Sequence, residues 1–271
     1  MTVAILTGRD KGRARESTLM GLADGSIDIL IGTHAIFQEA VAYKRLGLAV
    51  IDEQHRFGVA QRLLLTQKAE KPPHLLVMTA TPIPRTLYMA LMGARDMSTI
   101  ETPPPNRVPV ATSISPYDER IIRDAIRREM KRGGQTFFLH NRVKTIENMR
   151  ERIAALVPEA RIVVGHGQMD KDELEQVMRT FVKGEADVLL ATTIIETGID
   201  IPNANTIIID RADRFGLADL YQLRGRVGRA GEKAHAILLL PRDMITAGDA
   251  RKRIHAIKEH TALGSGFKIA M

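Results

Sequence analysis

Short apolar runs recur along the chain with helical segments between them, and this pattern constrains the fold more than any other feature of the sequence. Most runs are apolar throughout instead of alternating with polar residues, as expected for strands that are buried on both faces. Strands separated by helices predict an α/β protein with parallel sheets. The predicted strands are Ile27–Ile31, Leu48–Ile51, His74–Met78, Thr136–Leu139, Arg161–Val164, Val188–Ala191, Thr206–Ile209 and Ala236–Leu240.

Residues typical of helix ends lie between several of these runs. Ser115-Pro116 has the residue types of an N-cap and a first helical position, and apolar residues at helical spacing continue from there to Gly133-Gly134. Asp170 and Glu173 form a capping box, and the helix that follows is expected to end at Gly184. Both segments therefore predict helices that cover the sheet.

A composition change at Pro103-Pro104-Pro105-Asn106 predicts a boundary between two lobes. Three consecutive prolines cannot continue a helix and favour a stiff, extended connector. The predicted domains are residues 1–102 and residues 103–271. The second lobe has five of the predicted strands. The first has three, after a basic segment that is predicted to be helical, so we expect it to have an open sheet edge and an exposed apolar face.

Composition excludes several classes of protein. The 271 residues contain no cysteine, which rules out disulfides and thiolate metal sites. No apolar run approaches the roughly 20 residues that span a bilayer, and the basic segment 1–15 lacks the apolar core of a signal peptide. A cytoplasmic protein without a membrane partner is the prediction. The formal net charge of +7 favours an anionic partner, most commonly nucleic acid, although a merely basic enzyme fits the charge equally well.

The predicted strand Leu48–Ile51 runs directly into Asp52 and Glu53, followed by Gln54-His55. Parallel sheets bind their ligands at the carboxyl ends of their strands. An Asp at such a position can hold Mg²⁺ through its water shell, and an adjacent Glu can orient or deprotonate an attacking water. The competing interpretation is a solvated turn. The apolar strand before the pair favours the catalytic interpretation.

Two further polar segments follow predicted strands. Thr79 and Thr81 come after His74–Met78, where their hydroxyls can hydrogen-bond the acidic pair and relay nucleotide state, although an ordinary strand-to-turn cap has the same pattern. Thr192 and Thr193 can contact a nucleic-acid phosphate. The turn behind them carries Glu196, Gly198 and Asp200, and Asp200 is placed to contact a ribose hydroxyl.

The sequence Gln222-Leu223-Arg224-Gly225-Arg226-Val227-Gly228-Arg229 is the strongest single motif. Glycines allow close approach of the backbone, and Arg226 and Arg229 are spaced to clamp a phosphate. An arginine supplied across a cleft accelerates phosphoryl transfer by roughly 10³–10⁵. The competing interpretation is an exposed basic turn.

Taken in order, Asp-Glu-Gln-His, Thr-Ala-Thr, Glu-Thr-Gly-Ile-Asp-Ile-Pro and Gln-x-x-Gly-Arg-x-Gly-Arg resemble the motifs of superfamily-two helicase motors. The resemblance covers nearly the whole chain. It implies an α/β fold of two RecA-like lobes with parallel sheets, with ATP and Mg²⁺ in the cleft and DNA across the lobes. The residues then predicted to bind the cofactor are Asp52, Glu53, His55, Gly198, Asp200, Arg226 and Arg229. The predicted catalytic residues are Asp52, Glu53, Gln222, Arg226 and Arg229. The predicted DNA-binding residues are Gly32, Thr33 and His34 together with Thr192 and Thr193.

The first part of the chain resembles the bacterial helicase RecG, on Gly32–Gln38 and Val50–Val59. The remainder resembles the transcription-repair coupling factor, Mfd, on Gly165–Met169, Thr193–Pro202 and Arg211–Ala218. Both families share Thr79–Leu87. One hypothesis is that the chain joins two parents within that shared segment, and the alternative is a single lineage that has both patterns. The resemblance implies double-stranded or branched DNA as partner, and RNA polymerase for the parent protein.

No Gly-Lys-Ser/Thr sequence occurs in the chain, so the loop that cradles the β- and γ-phosphates is missing. In the resembling families this loop lies upstream, and the first lobe is accordingly predicted to be truncated and the second complete. We expect a fragment of an ATP-dependent DNA helicase or translocase that is inactive alone. The alternatives are a non-catalytic DNA-binding module and an assembly subunit that borrows a phosphate loop. A metal nuclease built on Asp52 and Glu53 is disfavoured, because Glu70 is the next acidic residue.

Overall fold

A computed structural model describes residues 1–53, 64, 68, 71–79, 96–100, 102, 108–193, 201, 203–228 and 231–241. The chain divides into two compact units, Met1–Ala80 and Thr81–Met271. The proline-rich segment lies almost wholly outside the described residues, so the domain limits at 102 and 103 stay a prediction. None of the described helices has the length and apolar character that a bilayer crossing needs.

The second unit contains a six-stranded parallel sheet in the order β5-β10-β9-β6-β8-β7. Its strands are β5 (Ala111–Pro116), β6 (Gln135–Leu139), β7 (Ile162–Gly165), β8 (Val188–Ala191), β9 (Ala204–Ile209) and β10 (His235–Leu240). The five predicted strands are confirmed. The edge strand β5 was missed, because its sequence Ala-Thr-Ser-Ile-Ser-Pro carries little apolar character and ends in proline.

Four helices of the second unit are described, and their caps test the predicted helix ends. They are α2 (Glu119–Lys131), α3 (Ile146–Leu156), α4 (Lys171–Val182) and α5 (Leu217–Arg224). The predicted start of α2 at Ser115-Pro116 is wrong: both residues belong to β5, and Asp118 caps the helix through the Arg120 N–H at 2.9 Å. Asp170 caps α4 as predicted and accepts from the Glu173 N–H at 2.8 Å.

Alternate residues of each central strand pack on opposite layers of helices. Phe137 and Leu139 of β6 join the core cluster that contains Phe181 of α4. Phe138, between them, joins the cluster that contains Ile126 of α2 and Ile153 of α3. The sheet is therefore covered on both faces, which explains why its strands are apolar throughout.

The first unit contains four described strands in two separate parallel pairs, β1 with β2 and β3 with β4. The strands are β1 (Val3–Leu6), β2 (Ile29–Gly32), β3 (Leu48–Asp52) and β4 (His74–Met78), and α1 (Gly12–Asp24) follows β1. Three strands were predicted. The chain was expected to begin with a helix, and β1 was missed because it is short and precedes a basic segment. The core clusters of the two pairs share Ile36 and Tyr43.

One face of each strand pair in the first unit is apolar and exposed. The alternate residues Val3, Ile5, Ile29, Ile31, Leu48, Val50, Leu76 and Met78 are 40–65% exposed. Their neighbours Leu6, Ala49 and Ile51 are buried on the other face. Parallel sheets are normally covered on both sides. This open face matches the exposed apolar face expected from the sequence.

Candidate functional site

The acidic pair lies at the carboxyl end of β3, as the sequence predicts. Asp52 is the last residue of the strand and is exposed. Glu53 is half-buried and has φ +49°, in the left-handed region that non-glycine residues seldom adopt. Its N–H donates to Asp52 Oδ1 at 2.9 Å, which helps to hold this conformation. A strained backbone of this kind costs on the order of 1–3 kcal/mol and is concentrated at functional sites.

The Thr79 hydroxyl connects the next strand to this pair. Thr79 directly follows β4, the parallel neighbour of β3, and its Oγ1 donates to Glu53 Oε2 at 3.5 Å. The bond is long, but it brings the two predicted residues together at one edge of the sheet. Thr81, the other predicted coupling residue, lies outside the described residues.

Gly32, Thr33 and His34, the predicted DNA-contacting residues of the first unit, lie at and after the end of β2. Thr33 and His34 are exposed, and a 3₁₀ turn begins at His34. A Cβ at Gly32 would lie 2.4 Å from the carbonyl oxygen of Leu6, so only glycine fits between the ends of β1 and β2. The segment therefore presents exposed polar groups on a tightly fixed backbone.

Thr192 and Thr193 follow β8 in the second unit. Thr192 is buried at 6% exposed, and its N–H donates to the Gly165 carbonyl at 3.2 Å. Thr193 is half-buried. Thr193 is accordingly the more accessible of the two hydroxyl residues predicted to contact DNA.

Gln222 and Arg226 are half-buried at the carboxyl end of α5 and in the turn after it. The Arg226 N–H donates to the Leu223 carbonyl at 3.0 Å, which continues the helical winding into the turn. Gly228 has φ +79°, and a Cβ there would lie 3.0 Å from Ala234 Cβ. Arg224, by contrast, is buried and stacks on Tyr221 with 4.8 Å to the ring centroid. Arg224 therefore packs in the interior, whereas Arg226 is only half-buried.

Sequence reasoning missed a polar site at the carboxyl ends of β6 and β9. A depression there is lined by His140, Asn141, Arg142, Asp210, Arg211, Arg214 and Phe215. The available signal was the polar triplet His-Asn-Arg directly after the buried strand β6, since parallel sheets place ligands at that end.

An ion pair within this site fixes the backbone at Arg211. Arg211 has φ +53°, and its guanidinium donates to both carboxylate oxygens of Asp213 at 3.0 and 2.9 Å. The hydrogen bond from Arg211 holds the pKa of Asp213 below its usual value. The pair therefore stays ionised at neutral pH and supports the left-handed residue.

Several predicted residues fall outside the described part of the chain. They are His55, Gly198, Asp200 and Arg229. Within the described part, no group of three or more His, Asp and Glu side chains is arranged to hold a metal ion. Asp52 presents an exposed carboxylate, and proteins usually hold Mg²⁺ through one or two carboxylates together with waters or phosphates.

Two family models match the chain. The model "DEAD/DEAH box helicase" matches residues 1–90, and the model "Helicase conserved C-terminal domain" matches residues 119–231. The first match contains the acidic pair and Thr79. The second contains the central part of the six-stranded sheet, from β6 to β9, together with the depression and the arginine motif.

Curated relatives match nearly the whole chain. It is 52% identical over 263 residues to the transcription-repair-coupling factor of Bacillus subtilis, which covers 97% of this chain and 22% of the relative. The corresponding protein of Haemophilus influenzae is 50% identical over 270 residues, and the match covers 100% of this chain and 24% of that relative. The Escherichia coli protein is 53% identical over 259 residues, and the match covers 95% of this chain and 22% of that relative. The chain thus spans about a fifth of the length of these relatives.

Solved structures give the same fold. "Structure of RecG bound to three-way DNA junction" covers 100% of this chain and 35% of that chain, with a TM-score of 0.78 and 39% identity. The Saccharomyces cerevisiae protein Dbp5, bound to RNA and ADP BeF3, has a TM-score of 0.66 at 17% identity over 96% of this chain and 68% of its own, and this likeness shows the fold alone.

The resemblances to both families are confirmed, but each family matches the whole chain, so no comparison requires a junction between two parents. The six-stranded parallel sheet with helices on both faces is the α/β architecture of the RecA-like lobes in these structures. With one helicase domain matched in each half and homologues among DNA-repair factors, the chain belongs to the superfamily-two helicases and is homologous to the transcription-repair-coupling factors.

Proposed function

We propose that this chain is part of a cytoplasmic, ATP-driven DNA translocase motor that acts in DNA repair. Its DNA partner is double-stranded or branched, and RNA polymerase is a partner of the parent protein. The observation that carries the proposal is the acidic pair at the end of β3, where Glu53 is held in a left-handed conformation within hydrogen-bonding distance of Thr79. The homology with transcription-repair-coupling factors supports the DNA-repair role.

The residues of the acidic site fit a magnesium–nucleotide complex. Asp52 offers an exposed carboxylate at a strand end, the ligand type and position that suit Mg²⁺. When bound, Mg²⁺–ATP supplies the phosphoryl group that is transferred to water. Glu53 accepts the proton of that water, and the Thr79 hydroxyl orients the Glu53 carboxylate. We also propose that the nucleotide is bound by His55, Gly198 and Asp200.

Gln222, Arg226 and Arg229 are proposed to contact the nucleotide phosphates. A guanidinium beside a transferring phosphoryl group neutralises the charge that develops there. Gly228, which has a positive φ, shapes the turn that follows Arg226. Thr79 and Thr81 couple this chemistry to DNA at Gly32, Thr33 and His34 in the first unit and at Thr192 and Thr193 in the second.

The chain by itself is predicted to hydrolyse ATP at a negligible rate. It has a water-activating carboxylate and phosphate-binding arginines, but no Gly-Lys-Ser/Thr loop to hold the β- and γ-phosphates. The measurement is ATP hydrolysis with and without DNA, compared with an Arg229→Ala variant. Robust hydrolysis that Arg229→Ala abolishes would show that ATP is bound without such a loop.

The motor role is tested by grafting this chain into a relative. The matching 259 residues of the Escherichia coli transcription-repair-coupling factor are replaced by this sequence, and DNA-stimulated ATP hydrolysis is measured. We expect the chimera to be active and Glu53→Gln to lower its turnover by about 10²-fold or more, since general-base catalysis contributes roughly 10²–10⁴. Glu16→Gln, an exposed position on α1, is the matched control and should leave turnover unchanged.

The chimera separates the proposed chemistry from general damage. A folded chimera whose Glu53→Gln variant hydrolyses ATP as fast as the unsubstituted chimera would refute the role of Glu53. Equal losses of turnover in Glu53→Gln and in Glu16→Gln would attribute the effect to damage instead of chemistry. A chimera that binds DNA but never hydrolyses ATP would refute the motor assignment for this segment.

A second candidate function is that of an assembly subunit, and the exposed apolar face of β1–β4 favours it. Such a face is a surface for another polypeptide, which here would supply the phosphate loop. Mixing this chain with an Escherichia coli relative that lacks the matching segment tests the idea. Restored ATP hydrolysis supports an assembly subunit, whereas separate elution of the two proteins without activity contradicts it. A purely DNA-binding module would instead bind DNA with a steep salt dependence and no nucleotide effect.

A further inference from the structure

The ammonium group of Lys68 is held by three backbone carbonyls of the first unit. Its Nζ donates to the Val41 carbonyl at 2.7 Å, to the Glu39 carbonyl at 3.4 Å and to the Gln38 carbonyl. The side chain is half-buried, and this burial lowers the pKa of Lys68, while the Glu39 carboxylate opposes the shift. A lysine ammonium has three N–H donors. All three are therefore committed to the backbone, and none remains for a DNA phosphate.

These carbonyls directly follow the residues of the first unit that are predicted to contact DNA. The 3₁₀ turn His34–Phe37 ends at Gln38, whose N–H donates to the Ala35 carbonyl at 3.3 Å. At the start of the turn, the Ile36 N–H donates to the Thr33 carbonyl at 3.2 Å. A continuous series of hydrogen bonds therefore connects the ammonium group with Thr33.

Two other side chains fix the same turn from nearby parts of the chain. The Tyr43 hydroxyl donates to the Ile36 carbonyl at 3.1 Å. Arg15 of α1 donates to the side-chain oxygen of Gln38 at 2.7 Å. Both come from elements next to the turn in sequence, whereas Lys68 comes from the connection between β3 and β4. Lys68 thus joins the turn to a different part of the unit.

That connection lies between the two strands of the acidic site. β3 leads into Glu53, and Thr79 directly follows β4. The Lys68 N–H donates to the Leu64 carbonyl at 3.2 Å, with the four-residue spacing of a helical turn. A cation at the end of a helical turn stabilises the carbonyls that have no partner within it. Lys68 therefore caps the turn next to the predicted DNA contacts from a segment that belongs to the acidic site.

We propose that Lys68 is a positioning residue for DNA binding. By holding three carbonyls together, it fixes the exposed residues Thr33 and His34 in the conformation that binds DNA. Through the connection in which it lies, it also ties their position to the strands that lead to Glu53 and Thr79. The inference rests on the proposed function, because it requires that the first unit contacts DNA at this turn.

The test is duplex binding by the whole chain, followed by fluorescence anisotropy over a range of salt concentrations. Lys68→Met keeps most of the apolar stem and removes the ammonium group. We expect it to weaken duplex binding by about fivefold to tenfold, because the turn must then be ordered when DNA binds. The slope of log K against log salt should stay unchanged, since the ammonium group does not contact a phosphate.

The salt slope separates positioning from two other roles. A lysine that neutralises one duplex phosphate contributes about 0.9 to the slope, so a loss of that size in Lys68→Met would overturn the proposal. A purely structural role predicts a lower melting temperature while the folded protein keeps its affinity and its slope, and that result overturns positioning as well. Lys68→Arg keeps the charge and the N–H donors, and should retain most of the affinity.

Lys44→Met is the matched control. Lys44 is an exposed lysine of the same unit, and its Nζ donates to the Asp24 carbonyl at 2.7 Å. The substitution removes the same charge and a hydrogen bond of the same kind, but at the end of α1 instead of the 3₁₀ turn. It should leave duplex binding nearly unchanged. Equal weakening by Lys44→Met and Lys68→Met would show a general effect of charge and would overturn the assignment.

A nucleotide arm tests the link to the acidic site. In the Escherichia coli chimera, duplex affinity is measured with and without a non-hydrolysable ATP analogue, and the ratio of the two affinities reports the coupling between the sites. We expect Lys68→Met to bring this ratio closer to one than Lys44→Met does. A ratio that Lys68→Met leaves unchanged refutes the link, and a ratio of one in the unsubstituted chimera refutes the relay through Thr79 as well.

The failure of this inference is distinguishable from the failure of the proposed function. A chain that binds no duplex at all refutes the proposed DNA binding together with the role of Lys68. Duplex binding that Lys68→Met does not alter refutes the role of Lys68 alone.

Discussion

The ion pair of Glu129 in the second unit allows a quantitative prediction for Arg132→Met. Glu129 is on α2 and is fully buried. Arg132 Nε donates to Glu129 Oε1 at 2.9 Å, and Arg132 Nη2 donates to Oε2 at 2.7 Å. The Thr206 hydroxyl of β9 also donates to Oε2. Both carboxylate oxygens therefore have partners, although they lie in the interior.

Removing the arginine leaves this carboxylate with the Thr206 hydroxyl as its remaining side-chain donor among the described residues. Breaking one side of a buried ion pair costs about 3–5 kcal/mol, because the remaining charge has lost its partner while staying out of water. The Arg132 side chain is 29% exposed, so water replaces part of the loss. We therefore expect the lower end, about 3 kcal/mol, which corresponds to about 6–12 °C in a unit of this size.

The assay is thermal unfolding followed by far-ultraviolet circular dichroism, with the transition of the second unit fitted by itself. The control is Arg150→Met, because Arg150 has the same spacing from Glu147 and a 2.7 Å ion pair, but both side chains are exposed. An exposed pair of this kind contributes about 0–1 kcal/mol. The predicted difference between the two variants is accordingly about 2 kcal/mol or more.

A double variant completes the test. Replacing Glu129 and Arg132 together by Gln and Met removes the unpaired charge, so it should be more stable than Arg132→Met alone. Equal melting temperatures for Arg132→Met and Arg150→Met would refute the reasoning. So would a double variant that is less stable than the sum of its two single changes.

Three other predictions concern stability. The hydrogen bond from Arg161 holds the pKa of Asp187 below its usual value. The stability that this pair contributes is therefore present above the unfolded pKa of about 3.9 and is lost as pH falls through the folded pKa. Asp187→Asn should accordingly cost about 1–2 kcal/mol at pH 7 in denaturant titrations and nothing in strong acid. Val50→Thr on the open face should lower dye binding to apolar surface and change stability by under about 0.5 kcal/mol, whereas Ile51→Thr, beside it but buried, should cost about 2 kcal/mol. Gly228→Ala should cost about 1–2 kcal/mol in thermal unfolding, because the φ of +79° is unfavourable for a residue with a side chain. Equal costs for Val50→Thr and Ile51→Thr would contradict the described burial of this strand. No cost for Gly228→Ala would contradict the described turn.

The predicted strands were reliable where both faces are buried. The apolar runs at β6, β8, β9 and β10 were found from sequence, because a strand that is covered on both sides must be apolar throughout. The edge strands β1 and β5 were missed. They are short or polar, and their pairing partners are distant in the chain, so local pattern alone does not reveal them.

The acidic pair was found for the same reason, since its residues follow a recognisable apolar strand. The polar depression at the ends of β6 and β9 was not, because His140 and Asp210 are 70 residues apart in the chain, and nothing local to His140 indicates Asp210. The buried state of Thr192 was equally invisible from sequence, because it depends on the strand beside it.

The sequence by itself determined the α/β class, most of the strands and the position of the acidic pair at the end of β3, since these depend on local periodicity and on short motifs. Tertiary structure alone decided the left-handed Glu53, the exposed face of β1–β4 and the union of His140 with Asp210. Each of these depends on which strands become neighbours. Long-range pairing in a parallel sheet fixes those neighbours, and no short stretch of the chain encodes it.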